Sequence, residues 1–188
     1  MMDHGAERQV SPTLAGIRHD HVARYRWAAA LLMHSSEVVD FACGCGYGTQ
    51  VLADAGHRAI GFDASREAID FARTYYGRGK FRVAADRCPL DVFDASVCFE
   101  TIEHLADPAP LLHSLRAGRV LFASVPNEDV MPYSPAFAFH HRHYTRDDFA
   151  LLLLGCGWRV LEWWGQDGPD SDVERDVVGR TLIAVAVS

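Results

Sequence analysis

Three groups of residues in this sequence have types and spacing that could do chemistry. The first is Glu100-x-x-Glu103-His104, two carboxylates and an imidazole in five positions. Such a set suits a hard or borderline divalent cation. The plainer reading is a buried ion pair with capping groups. The second is Phe139-His-His-Arg-His143-Tyr-Thr145, with three histidines in four residues. His140 stands five residues before Thr145, a helix-capping residue, and is the candidate fourth ligand beside Glu100, Glu103 and His104. Without a metal, His104 or His140 could act as general base. His141 and His143 read as surface residues. The third is Asp40-Phe-Ala-Cys-Gly44-Cys-Gly46-Tyr-Gly48, followed later by Asp63. Glycines let the backbone approach a ligand closely, and a carboxylate at Asp63 can accept hydrogen bonds from ribose hydroxyls.

These residues need elements to position them. Short apolar runs alternate with helical stretches along the chain. Strands are expected at 38–42, 58–62, 81–84, 95–99, 119–124, 158–164 and 181–187. Helices are expected at 21–34 and 49–55, after the N-cap Ser65, from Asp107-Pro108 to about Leu115, and from the capping box at Thr145 to Leu154. Residues 1–20 read as a loose arm and 165–180 as a loop. Repeated strand–helix units imply a parallel sheet with helices on both faces. The last two strands, with no helix between them, add an antiparallel edge pair.

The glycine loop therefore lies between the first strand and its helix, where open α/β sheets bind ligands. A dinucleotide fingerprint would read G-x-G-x-x-G. Here the spacing is G-x-G-x-G with Thr49 in the third glycine's place. Asp40 would sit poorly beside a pyrophosphate, and a carboxylate suits a cationic ligand bearing an amino acid better. S-adenosylmethionine carries both a sulfonium and an ammonium.

The run Val38 to Gly48, with Asp63, Asp86 and Phe99-Glu-Thr-Ile-Glu-His104, resembles a class I S-adenosylmethionine-dependent methyltransferase over about residues 22–188. The resemblance implies a Rossmann-like α/β fold, a seven-stranded and mostly parallel sheet with an antiparallel edge strand and helices on both faces. It implies that Asp40 and the loop Ala42, Cys43, Gly44 and Gly46 serve the methionine part. It places Asp63 at the ribose, Asp86 and Arg87 at the adenine, and Phe99 beside the cofactor, and counts Ala64 among the cofactor-binding residues. Ala42 stands where the family usually has glycine. Two subgroups are similar. Small-RNA 3′-terminal ribose 2′-O-methyltransferases share the E-x-x-E-H motif and a later histidine. A bacterial group tied to cell-surface glycan and sugar pathways matches further, through Arg24-Tyr-Arg-Trp-Ala28, Ala42 to Gly48, Phe99 to His104 and Pro126-Asn127. Ubiquinone-type O-methyltransferases share E-x-x-E-H as well.

The expected function is O-methylation of a small-molecule or glycan hydroxyl, with a divalent metal (Mg or Mn) held by Glu100, Glu103, His104 and His140. The alternatives are ribose 2′-O-methylation at an RNA end and a cofactor-binding subunit that has lost catalysis. Tyr25 and Trp27 are candidates to cover the cofactor, and one of Trp163 and Trp164 to line the acceptor pocket. The acceptor wall is expected from the N-terminal arm, residues 126–143 and the 165–180 loop.

Composition bounds these readings. At 188 residues with 49% hydrophobic and 23% charged residues, the chain is an ordinary globular domain able to bury a full core. The net charge of −7 disfavours a protein that grips phosphate backbones. No apolar run reaches a membrane span, and the N-terminus does not read as a signal peptide. Five cysteines, an odd number set mostly in apolar runs, read as reduced and cytoplasmic. The sequence leaves the oligomeric state open.

Overall fold

The computed structural model describes residues 8–77 and 80–188. Its strands are β1 (Glu37–Phe41), β2 (Arg58–Asp63), β3 (Phe81–Val83), β4 (Ala95–Phe99), β5 (Val120–Pro126), β6 (Arg159–Gln166), β7 (Glu174–Arg175) and β8 (Thr181–Val187). Its α-helices are α1 (His19–Leu31), α2 (Tyr47–Asp54), α3 (Arg66–Tyr75), α4 (Ala109–Leu115) and α5 (Arg146–Gly155). They form one sheet in the order β3-β2-β1-β4-β5-β8-β6-β7. Strands β1 to β5 pair in parallel.

The sheet has eight strands rather than seven. The extra one, β7, is two residues long and leaves no periodicity to read. The antiparallel strand β8 is also not at the edge. It pairs along its length with both β5 and β6. Its composition shows why: Leu182, Ile183, Ala184 and Ala186 are buried on both faces. A two-sided apolar run belongs inside a sheet, whereas β6 carries Arg159 and Glu162 and suits a place near the rim.

Alternate residues of the central strands face opposite layers. Val38, Val97 and Phe122 pack with Ala28, Leu52 and Ile69 on the α1–α3 side. Val39, Cys98 and Leu121 pack with Leu112, Leu115 and Phe149 on the α4–α5 side. Side-chain caps fix the starts of two helices, and an Asp carboxylate just before the cap holds the first turn of a third. Ser65 accepts from the Ala68 amide at 3.2 Å and Thr145 from Asp148 at 3.1 Å. Asp107 Oδ1 accepts from the Ala109 amide at 3.0 Å. The first helix begins at His19 and ends at Leu31, earlier at both ends than its apolar spacing suggested.

The expected loose arm falls partly on residues 1–7, outside the described residues. The part described packs down. Ser11 is buried, and its carbonyl accepts from Tyr76 Oη at 2.7 Å. The strand order reverses between β1 and β4, which opens a cleft at their carboxyl ends.

Candidate active site

The adjacent parallel strands β1 and β4 end alike. Phe41 is followed by Ala42 with φ 62°, and Phe99 by Glu100 with φ 47°. Positive φ in a residue with a Cβ costs roughly 1–2 kcal/mol, and here it turns the chain sharply on both sides of the switch point. It also accounts for the glycine usual at the Ala42 position. Past Ala42, one carboxylate ties two loops together. Asp63 accepts from the Gly44 amide at 2.9 Å and from the Ser65 amide at 2.8 Å. The Arg8 guanidinium lies 3.5 Å from the same carboxylate.

Two of the expected cofactor residues act from beneath the loop. Asp40 is wholly buried and accepts from Thr49 Oγ1 at 2.6 Å and Tyr25 Oη at 3.0 Å. Burial pushes its carboxyl up to about 7, against the hydrogen bonds from Thr49 and Tyr25. Gly46, at φ 93°, caps α2, and a Cβ there would lie 2.6 Å from Ala72 Cβ and 2.8 Å from the Phe81 ring. Its glycine lets the loop press against α3 and β3.

The α1 side of the cleft carries a polar network. Arg24, 2% exposed, holds Glu100 at 2.9 Å and Asp20 at 3.5 Å and donates to Ser124 Oγ at 3.3 Å. Ser124 Oγ in turn donates to Glu100 at 2.7 Å. His21 Nδ1 lies 2.9 Å from Tyr47 Oη. Burial, and then the Arg24 charge, lower the His21 imidazole to about 4. The sequence reading had not placed Asp20, His21 or Tyr47 in the site. The signal for Arg24 was present in the Arg24-Tyr-x-x-Ala28 match.

The opposite wall follows β4 and β5. Glu103, 1% exposed, His104 and His140 each bring a ligand atom within 4.8 Å of the others. Glu103 and His104 stand on a single 3₁₀ turn, Ile102–His104. The Glu103 carbonyl accepts from the His141 amide at 2.7 Å, which draws the histidine segment across. His104 Nδ1 lies 3.0 Å from the Phe139 carbonyl. Glu100 is outside this group, because Arg24 and Ser124 hold its carboxylate. His143 is buried rather than on the surface, with Nε2 2.7 Å from His140 Nδ1. Asn127, 1% exposed, anchors this wall by donating to the Gly179 carbonyl at 2.9 Å.

Both walls enclose one cavity of about 810 Å³. Ala42, Cys43, Gly44, Asp63, Ala64 and Phe99 line one part, and Glu100, Glu103, His104 and His140 another. Each of the three segments expected to form the acceptor wall contributes, through Gln9, Met131 and Pro169 among others.

A family model for a methyltransferase domain matches residues 15–163. The chain belongs to the methyltransferase-domain family. A protein of Mycolicibacterium smegmatis described as a probable S-adenosylmethionine-dependent methyltransferase is 31% identical over 69% of this chain and 54% of its own length. A ubiquinone biosynthesis O-methyltransferase of Methylococcus capsulatus is 31% identical over 70% of this chain and 62% of its own. The chain thus spans little more than half the length of these curated relatives. An S-adenosylmethionine-dependent methyltransferase structure from Thermotoga maritima superposes with a TM-score of 0.74 at 14% identity, over 89% of each chain.

For a methyltransferase domain the cofactor to fit is S-adenosylmethionine. The Asp63 carboxylate, the loop glycine Gly44 and the aromatic Phe99 line the same cavity, and their chemistry suits it. Besides Asp40 and Gly46 beneath the loop, two more expected cofactor residues do not reach it. The side chains of Asp86 and Arg87 are 74% and 71% exposed and lie 3.9 Å apart. The three-residue β3 ends early, and Ala85 faces the cavity instead. Among the aromatic candidates, Tyr25 lines the cavity and makes an edge contact with Phe99 at 5.1 Å. Trp27 packs in the core against Phe122 and Trp164. Trp163 packs on the other face against Phe149, with Arg146 over its ring, so neither tryptophan of β6 lines the pocket. All five cysteines are free and buried. No helix among the described residues is long and apolar enough to cross a membrane.

Proposed function

We propose that the chain is an O-methyltransferase acting on a hydroxyl of a small molecule or sugar, with a divalent cation of the magnesium or manganese type at Glu103, His104 and His140. The observation that carries this reading is the convergence of one carboxylate and two imidazoles in the same cavity as the glycine loop. The O-methyltransferase activity named for the Methylococcus relative supports an oxygen acceptor.

One carboxylate and two imidazoles fit a hard or borderline divalent ion, which would lower the pKa of a bound hydroxyl. S-adenosylmethionine supplies an electrophilic methyl group on its sulfonium. The chain's residues do the positioning. Asp63 would accept from the ribose hydroxyls. Phe99 and Tyr25 would exclude water beside the methionine part. With the ion bound, His104 and His140 would hold it at the mouth through their ring nitrogens; without it, either imidazole could take the acceptor's proton. In-line transfer then depends on reacting atoms held about 3–3.5 Å apart.

The test is transfer of labelled methyl from S-adenosylmethionine into a metabolite and RNA extract, separated by size, with and without chelator. Label in small molecules or glycans that is lost with chelator is the expected result. Label in RNase-sensitive material would replace this reading with ribose methylation. Cofactor binding with no transfer to any fraction would favour a non-catalytic subunit.

A further inference from the structure

His143 lies behind the candidate metal ligands and is 7% exposed. Its Nδ1 is 2.6 Å from the Met131 carbonyl oxygen, and its Nε2 is 2.7 Å from His140 Nδ1. A carbonyl oxygen only accepts, so His143 Nδ1 carries the proton. In the neutral ring Nε2 is then the acceptor, and the proton between the two histidines sits on His140 Nδ1. That leaves Nε2 of His140 as the nitrogen with the lone pair, and His140 is one of the three ligand-bearing residues.

The surroundings hold this arrangement in place. The Met131 amide donates to the Asn127 carbonyl at 2.8 Å, so the carbonyl that starts the chain of bonds is on an anchored turn. Phe137 stacks on His140 at 5.4 Å and 13° and tilts against His143 at 4.6 Å. The His140 ring also stands edge-on to His104 at 4.7 Å. Rotation of the imidazole would break these contacts together. The other histidine of the group follows the same rule, since its Nδ1 meets the Phe139 carbonyl at 3.0 Å.

We infer that His143 is a positioning residue: through the Met131–His143–His140 hydrogen-bond chain it fixes the tautomer of His140 and directs the Nε2 lone pair to the site. The inference deepens the proposed function and rests on that reading for its purpose, while the tautomer itself does not. Outer-shell partners of metal-binding histidines typically change metal affinity by about 10–100-fold.

The test uses the whole chain without added metal, with imidazole ¹⁵N shifts as the first readout and Mn²⁺ binding by titration calorimetry as the second. Wild-type His140 should show the Nδ1–H, Nε2-lone-pair pattern. His143→Phe keeps the ring volume and removes the acceptor. It should mix the His140 tautomers and weaken Mn²⁺ binding about tenfold or more. His143→Gln restores an acceptor and should recover most of the affinity. An Nε2–H tautomer of His140 in the wild type, or wild-type Mn²⁺ affinity in His143→Phe, would overturn the inference. If the wild type binds no Mn²⁺, the metal reading fails while the shifts still decide the tautomer. If His143→Phe does not fold, the wild-type shifts and His143→Gln decide it.

Discussion

Asp63 and Glu103 are both buried carboxylates in one cavity, 4% and 1% exposed, yet their surroundings differ in kind. Asp63 is held by two backbone amides, from Gly44 and Ser65. Glu103 faces the imidazoles of His104 and His140 across a group gathered from two separate loops. The first wall is backbone fixed by the sheet, and its shape follows from strand ends and positive-φ residues. The second wall is side chain against side chain, and depends on a chain of hydrogen bonds through His143 and Asn127. One wall thus has few degrees of freedom, whereas the other is built from the side chains of the Ile102–His104 turn and of residues 126–143. The proposed function therefore predicts that cofactor binding and choice of acceptor are separable in this cavity.

The strongest way to break the backbone wall is Gly46→Ala. The Cβ would meet Ala72 Cβ at 2.6 Å, at a φ of 93° that suits glycine. Strain and overlap together should cost about 2–4 kcal/mol in urea unfolding. Asp63→Ala comes next. It removes the carboxylate proposed to accept from the ribose hydroxyls and should weaken S-adenosylmethionine binding about 30-fold or more by calorimetry. Mn²⁺ binding on the opposite wall should stay within about twofold. Loss of both would erase the distinction between the walls.

A smaller effect sharpens it through pH. His21 has a folded value near 4, below its ordinary 6.5, so the unfolded chain binds its proton first and stability from this group falls as pH drops from 6.5 towards 4. Asp40 has a folded value near 7, above its ordinary 3.8, so its contribution has the opposite sign and falls as pH rises from 3.8 to 7. Between about pH 4 and 6.5 the two slopes oppose each other in the wild type. Asp40→Asn removes one of them. Relative to wild type, its stability should rise with pH by about 1 kcal/mol per unit across that window, measured by urea melts. Parallel slopes in the two proteins would contradict a protonated, buried Asp40.

The two walls were also unequally legible in the sequence. The glycine loop, Asp63 and the strand ends show in local order because short-range spacing determines them. Ser65 and Thr145 were readable as caps for the same reason. What failed depends on distant partners. Glu100 looked like a ligand by its place in Glu100-x-x-Glu103-His104, but Arg24 from α1 engages it. His143 looked exposed in a polar segment, but the Met131 carbonyl and the Phe137 ring cover it. Asp86 and Arg87 follow β3 in the chain, but their side chains are largely exposed and do not line the cavity. The position of β8 inside the sheet could have been inferred from its two-sided apolar run, which strict alternation at an edge would not produce.

The most direct measurement titrates S-adenosylmethionine and Mn²⁺ separately into the wild type and Glu103→Ala, with folding checked by circular dichroism. The account predicts that Glu103→Ala keeps S-adenosylmethionine affinity within about twofold and loses Mn²⁺ binding. Unchanged Mn²⁺ binding would contradict the metal site, and loss of cofactor and metal together would contradict a cavity with two separable walls.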